Sequence, residues 1–443
     1  MPQCRNAALF SFLRSSACYR HVYGICDVIE TSVGMLIACV VKAREALLYF
    51  VARLRDLREA KSAKLTLGKA IMDFEFSDEQ ELLREQARGF LADNCPPTAV
   101  RKVLDGDAEY DAELWQKVVE MGWTATVIPE EFGGLGLSYL ELVVIAEELG
   151  RAAAPIPFSS SVYLATEALL MLGSQEQKEK WLPMLASGEA IGTFALAEGN
   201  GRPAASSLKT SGAGGSVTGR KIPVADGGIA NFAVVVAASD QGDGASLHLV
   251  ELDQAGVSRE AVRTLDFTRG HAAIEFTNAE SELLGGEGSG WTAMESLLDR
   301  AAVLFAWEQV GLADAALEQA RDYAMGRYAF GRSIASYQAI KHKLAGMYVK
   351  NTLARSNCYY GAWALDSGSA ELALAAATAR VGAIQAAVHA AEENVQTHGG
   401  MGFTWEFDCQ FYYRRAKLLS VNIGSEGYWQ DKLITAYEQT NAA

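Results

Sequence analysis

The stretch Gln396–Lys417, QTHGGMGFTWEFDCQFYYRRAK, decides how the rest of the chain is read. It follows an Ala-rich run, Glu371–Val395 (ELALAAATARVGAIQAAVHAAEENV), whose helical pattern stops at Gly399–Gly400. Residues without a Cβ can take φ > 0 there and end a helix, which leaves the backbone bare. Bare amides at a helix terminus can meet a phosphate or an adenine edge, and a plain C-cap with no ligand fits the same spacing. A second stretch, Arg327–Met347 (RYAFGRSIASYQAIKHKLAGM), stands about 70 residues earlier.

Composition narrows the function classes. The 443 residues suffice for two or three domains with sizeable cores, and half of them are apolar without one uninterrupted apolar run of 18. No integral membrane segment is expected. The formal charge of −15 is uneven, because residues 1–71 carry 11 Lys/Arg against 5 Asp/Glu while the rest of the chain is strongly acidic. An acidic body repels nucleic acid and anionic lipid, so neither is an expected partner. The seven cysteines show no C-x-x-C and the six histidines no H-E-x-x-H. That pattern reads as a reducing compartment, with neither a disulfide framework nor a metal site.

Four segments follow from the periodicity. Residues 1–71 form an extension with Arg5, Arg14 and Arg20 ahead of any acid and a basic amphipathic run at Lys42–Lys61. It reads as a start called too early, or as a targeting or membrane-surface segment; the chain is expected in the cytoplasm, or in the mitochondrial matrix if the first residues are a presequence. Residues 72–190 read as a helical domain that opens at Ser77 or Asp78 and is interrupted at Pro96–Pro97. Within it PEEFGGLGL (Pro129–Leu137) is glycine-rich but follows no strand and lacks G-K-[ST], so it is not read as a phosphate cradle. Residues 191–285 read as a small antiparallel β domain, from runs such as Asn231–Ala238 and Ala272–Thr277 bounded by Gly/Asp/Ser clusters. Residues 286–443 read as a bundle of four or five antiparallel helices.

Q-x-x-G-G-x-G-[FY]-x-x-E at Gln396 and R-x-x-F-G-x-x-I-x-x-x-Q at Arg327 together resemble the signatures of the acyl-CoA dehydrogenase family. PEEFGGLGL and Gly173–Glu189 resemble its N-terminal domain, and the resemblance covers essentially all of 72–443. It implies an α+β fold of helical domain, β domain and helix bundle. It also implies FAD, an acyl-CoA substrate, an electron-transferring flavoprotein as acceptor, and a dimer or tetramer. The reaction would be α,β-dehydrogenation, in which a carboxylate takes the α-proton and the β-hydride goes to the flavin. By the same resemblance Arg327, with Phe330 and Gln338 beside it, reaches the FAD pyrophosphate of an adjacent subunit, where a planar guanidinium can satisfy phosphate oxygens in pairs. Gln396, Gly399 and Gly400 meet the adenosine end of that cofactor.

The chain departs from the family where the flavin ring and the base should be. T-E-P-x-A-G-S-D is replaced by AEGNGRPA (Ala197–Ala204), and W-I-[ST]-N by PVAD (Pro223–Asp226). The two positions from which family members project the catalytic carboxylate hold Ile423 and Ala301, and neither side chain ionises. The nearest acids are Glu426 and Asp299, so any proton abstraction by this chain itself is expected to run through Asp299. Three readings follow: an autonomous FAD-dependent dehydrogenase; a base-poor companion subunit that completes a partner's flavin site, as in branches acting on bulky or steroid-type acyl groups; and an acyl-CoA oxidase.

Overall fold

The computed structural model describes residues 76–106 and 108–442, so the extension read over 1–71 lies outside the described residues. The first helix, α1 (Asp78–Asn94), starts where Ser77 and Gln80 cap each other reciprocally: Gln80 N donates to Ser77 Oγ and Ser77 N to Gln80 Oε1. Pro97 then occupies the first turn of α2 (Pro97–Asp105), where a missing N–H costs nothing. There follow α3 (Ala112–Glu120), α4 (Tyr139–Arg151), a π-helical turn at Ser159–Thr166 that runs into α5 (Glu167–Leu172), and α6 (Gln175–Ala186). PEEFGGLGL is a packing loop: a Cβ at Gly134 would lie 1.9 Å from Ile128 O.

Eight strands make one sheet in the order β6-β7-β3-β2-β4-β5-β8, with β1 paired to β4 off that path. They span Gly192–Ala195 (β1), Ser211–Ala213 (β2), Ser216–Ala225 (β3), Phe232–Ala238 (β4), Ala245–Glu251 (β5), Val257–Ala261 (β6), His271–Glu280 (β7) and Glu282–Leu284 (β8). The sheet is antiparallel as read, except that β1 runs parallel to β4 in register Gly192↔Phe232, and β2 meets β4 parallel at one pair. A parallel neighbour needs a long connection, and the whole β2–β3 excursion supplies it.

Five helices complete the described chain: α7 (Gly290–Gly326), then a short hairpin of β9 (Tyr328–Ala329) and β10 (Arg332–Ser333), α8 (Gln338–Asp366), α9 (Leu372–His398), α10 (Cys409–Leu419) and α11 (Glu426–Ala442). The segment Leu372–Phe403 is long and apolar enough to cross a membrane, yet half of its most apolar window is buried inside the protein, where its alanines pack at the centre of the bundle. The helical domain meets the bundle at two glycines. A Cβ at Gly150 of α4 would stand 1.9 Å from Glu308 O, and one at Gly311 of α7 would stand 1.9 Å from Glu147 O. Only hydrogen on both sides lets these two helices cross backbone against backbone.

Candidate functional site

The residues singled out in the sequence fall at two ends of α7. At its C-terminal end, α7 and α9 run in the same direction and are fastened by two rungs one helical turn apart. Asn394 Nδ2 donates to Gln319 Oε1 at 2.7 Å, and Tyr323 stacks on His398 with centroids 4.1 Å apart and planes at 27°. This clip puts the β9–β10 hairpin and the Gly399–Gly400 corner side by side. Arg327 is the exposed residue that ends α7, its backbone N–H donating to Tyr323 O at 2.9 Å; its guanidinium has no ion-pair partner among the described residues. Phe330, at the hairpin tip, is 97% exposed with φ +53°, a left-handed value uncommon for a bulky residue. Gln338 begins α8, and it and Gln396 are exposed. Gly399 has φ +59° and ψ −135°, which favours glycine, and nothing lies within 4 Å of a Cβ built at Gly399 or Gly400.

All six residues therefore share one end of the bundle, facing outward. An unpaired guanidinium, an open glycine corner and a bare aromatic face are the complement of an anionic ligand that also carries flat rings. The pyrophosphate and adenosine half of a dinucleotide fits that description.

Asp299 is on the same helix 28 residues before Arg327, about 42 Å away at 1.5 Å per residue. Because α7 begins at Gly290, Asp299 lies past its first two turns, and the helix dipole falls off before it reaches that far. Its partner is instead Lys432 of α11, whose Nζ stands 2.7 Å from Asp299 Oδ1 and also donates to Glu295 O at 3.3 Å. Burial pushes the Asp299 carboxyl above its usual range, against the pull of Lys432. Ala301 and Ile423 are buried, and Glu426 accepts from Gln385 Nε2 and Gln430 Nε2. Above the pair, Arg202 from the β domain lies over the Tyr428 ring at 4.8 Å and bonds Asp431 at 2.9 Å. Sequence reasoning missed Lys432. A faint signal exists, since Lys432 stands beside Leu433 between the buried Trp429 and Ala436, on the inward stripe of α11.

The strand motifs are used for structure. Glu198 bridges to Ile222 and accepts from Lys209 N (2.7 Å), Thr210 N (3.0 Å) and the fully buried Lys221 Nζ (2.7 Å). Burial would raise its carboxyl, but Lys221 and the two amides hold it down to about 2. Pro223 has no N–H, and Ala197 and Ala225 have no hydroxyl to offer a flavin ring. Asp226, at φ +54°, is turned inward and accepts from Ser160 Oγ at 2.5 Å, with Arg269 at 3.5 Å. The side chains of these two strand motifs thus leave few free hydrogen-bond donors, whereas the outer end of α7 presents an open guanidinium and a bare glycine corner.

A buried network ties the three domains together behind the strands. Arg415 of α10 bonds Asp266 at 2.6 Å, Thr268 Oγ1 at 2.8 Å and the carbonyl of Ala154 at 3.2 Å; Glu308 of α7 stands 3.7 Å from both Arg415 and Arg269. Among the described residues no cluster of His, Cys, Asp and Glu could hold a metal ion, and Cys95, Cys358 and Cys409 are buried and free.

Comparison with known proteins matches residues 77–189 to the acyl-CoA dehydrogenase N-terminal domain and residues 288–435 to the acyl-CoA dehydrogenase C-terminal domain. The acyl-CoA dehydrogenase IpdE2 of Mycobacterium tuberculosis is 34% identical over 340 residues, covering 76% of this chain and 91% of that protein. The butyryl-CoA dehydrogenase of Megasphaera elsdenii superposes with a TM-score of 0.77 at 27% identity, covering 83% of this chain and 100% of that one. A chain of the ChsE4–ChsE5 complex from Mycobacterium tuberculosis superposes with a TM-score of 0.75 at 26% identity, covering 83% of this chain and 99% of that one.

Proposed function

The chain belongs to the acyl-CoA dehydrogenase family, and we propose that it serves α,β-dehydrogenation of an acyl-CoA thioester as one subunit of a hetero-oligomer, completing the FAD site of a neighbouring catalytic chain. The family is flavin-dependent, and FAD when bound would accept the hydride leaving the acyl group before an electron-transferring flavoprotein takes the electrons. The observation that carries the proposal is the separation along α7. Arg327 and Asp299 stand about 42 Å apart on one helix, too far for both to serve a single extended dinucleotide, which supports a reading in which the two ends serve two flavin sites on two chains.

At the outer end, the Arg327 guanidinium would hold the pyrophosphate, with Gly399, Gly400 and Gln396 on the adenosine and with Phe330 and Gln338 flanking it. At the inner end, Ala301 and Ile423 supply apolar wall, and the ammonium of Lys432 favours the charged form of Asp299 and weakens it as a proton acceptor. The base then comes from the partner chain. Similarity to a chain from the ChsE4–ChsE5 complex supports an assembly of two different chains.

One observation favours a second reading, an autonomous dehydrogenase: the burial that raises the Asp299 carboxyl is what a general base there would need. Purification alone and after co-expression with a neighbouring homologue separates the two. A protein colourless alone but yellow and reducible by an acyl-CoA with its partner is the expected result. A yellow protein bleached by acyl-CoA on its own overturns the companion reading in favour of Asp299.

A further inference from the structure

A crevice between the helical domain and the bundle, which opens on the far side of the Tyr323–His398 stack, has the build of a small-molecule site. Its outer chamber is a bowl of about 680 Å³ between α1, α7 and the segment that joins α9 to α10. A smaller recess of about 290 Å³ adjoins it, sharing Arg88, Arg151, Asp408 and Tyr412 with the bowl and walled by Leu91, Cys95, Pro96, Val100 and Phe411. Together they fall in the size range of ligand pockets. The recess is apolar and the bowl sets charged side chains beside aromatic rings, so an occupant of both must be amphipathic.

The open valences of the bowl fix the polar end. The charge of each arginine is met by a carboxylate: Arg88 forks onto Glu148 at 3.0 and 2.7 Å, and Arg151 bonds Glu318 at 2.6 Å, with Arg151 Nε left as one open donor. The other open groups are acceptors and ring faces. His398 is 4% exposed; its Nδ1 stands 2.8 Å from Asn394 O, so the carbonyl must accept and Nδ1 carries the hydrogen. Burial pulls its pKa down, which leaves Nε2 as an unprotonated acceptor with no protein partner, on a side chain that lines the bowl. The Glu406 carboxylate on the rim makes no ion pair with a described residue. Tyr323 and Phe407 stand at 89° with centroids 6.2 Å apart, and Phe407 meets His398 at 5.7 Å, so these rings form an angled wall. Two arginines against four carboxylates line the bowl, so the unpaired Glu406, the His398 acceptor and the aromatic faces outweigh the one open Arg151 donor and select a donor carrying positive charge.

We propose that this crevice binds an amphipathic amine, its ammonium held by His398 Nε2, Glu406 and the Tyr323–Phe407 wall, and its apolar body lodged in the recess beside Leu91 and Phe411. The site shares Tyr323 and His398 with the clip behind the glycine corner, but its test uses neither flavin nor acyl-CoA, so its failure is distinguishable from failure of the proposed function.

The test is calorimetric titration of the full-length protein with n-octylamine, n-octanol and octanoate in parallel, at neutral pH and below the concentrations at which they aggregate. Octylamine is expected to bind at one site per chain, at least tenfold more tightly than octanol, with octanoate weaker still. Glu406→Gln should weaken octylamine about fivefold, and Ala92→Trp, which fills the recess from an exposed lining position, at least tenfold, with melting temperatures checked for both. Octanoate binding as well as octylamine overturns the charge assignment. Octylamine affinity unchanged in the folded Ala92→Trp and Glu406→Gln proteins shows adsorption elsewhere and overturns the site.

Discussion

Replacing Arg327 with Ala probes the cross-subunit assignment most directly, because the structure separates binding from folding at that position. The side chain is exposed and ion-pairs with no described residue, and the backbone bond to Tyr323 O survives the change. Fold stability should therefore move by no more than about 0.5 kcal/mol, the usual range for a surface substitution. What is lost is a charge-assisted contact to phosphate, about 1.5–3 kcal/mol. At 1.4 kcal/mol per tenfold, FAD should bind about 10- to 150-fold more weakly. Arg327→Lys, which keeps the charge but loses the fork, should fall between. The assay is equilibrium FAD titration of the assembled protein, followed by flavin fluorescence, with the substitution placed in this chain and the partner left unchanged. On the proposed assignment, with Arg327 acting on a neighbour's cofactor, the loss should appear in sites that this chain completes and spare the others. An FAD affinity within twofold of the parent in every assembly, or a loss that tracks an equal drop in melting temperature, would refute the reasoning.

In the assembled protein Asp299→Asn should slow flavin reduction by acyl-CoA less than about threefold, whereas a general base lost from this chain would cost about two orders of magnitude or more in a stopped-flow trace. Lys432→Met leaves the Asp299 carboxylate buried without its ammonium, a loss of about 2–3 kcal/mol once residual solvent contact is allowed for; because the orphaned acid then has a raised pKa, the deficit against the parent in urea melts should shrink as pH falls toward 4 and the carboxyl takes up a proton. Glu198, held at about 2 when folded, contributes stability that is present above its unfolded pKa near 4.5 and lost as pH falls from there toward 2; Glu198→Gln should flatten the acid limb of a melting-temperature profile, by about 1–2 kcal/mol after solvent screening. Gly311→Ala drives a methyl into Glu147 O and should destabilise by about 3 kcal/mol, where an ordinary exposed helical Gly→Ala would stabilise; an unchanged urea midpoint would mean that α4 and α7 do not cross as closely as described.

Local rules made most of the fold legible. Ser77 and Gln80 sit at capping-box spacing, Pro96–Pro97 breaks the first helix, and the glycine corner at 399–400 announced itself because φ +59° is a conformation that favours glycine. The strands were legible where both faces are buried, as in Phe232–Ala238, and not where polar residues alternate at the surface, as in Val257–Ala261; the parallel seating of β1 depends on where the chain goes for the next 40 residues, which no local pattern encodes. The outer half of the candidate site was legible for the same reason, since a guanidinium, a hairpin and two glycines each leave a local mark. The inner half was not. An acid near the start of a helix looks the same in sequence whether it faces water, substrate or a lysine, and only the docking of α11 on α7 decides among these by bringing Lys432 to 2.7 Å from Asp299. That contact changes the chemistry more than any motif in the stretch. Lys432 pulls the Asp299 carboxyl toward its charged form against the burial that raises it, so a catalytic Asp299 would have to take its proton from within an ion pair. Placing the base on another chain removes that conflict, and it accounts at once for Ala301, Ile423 and the paired Asp299.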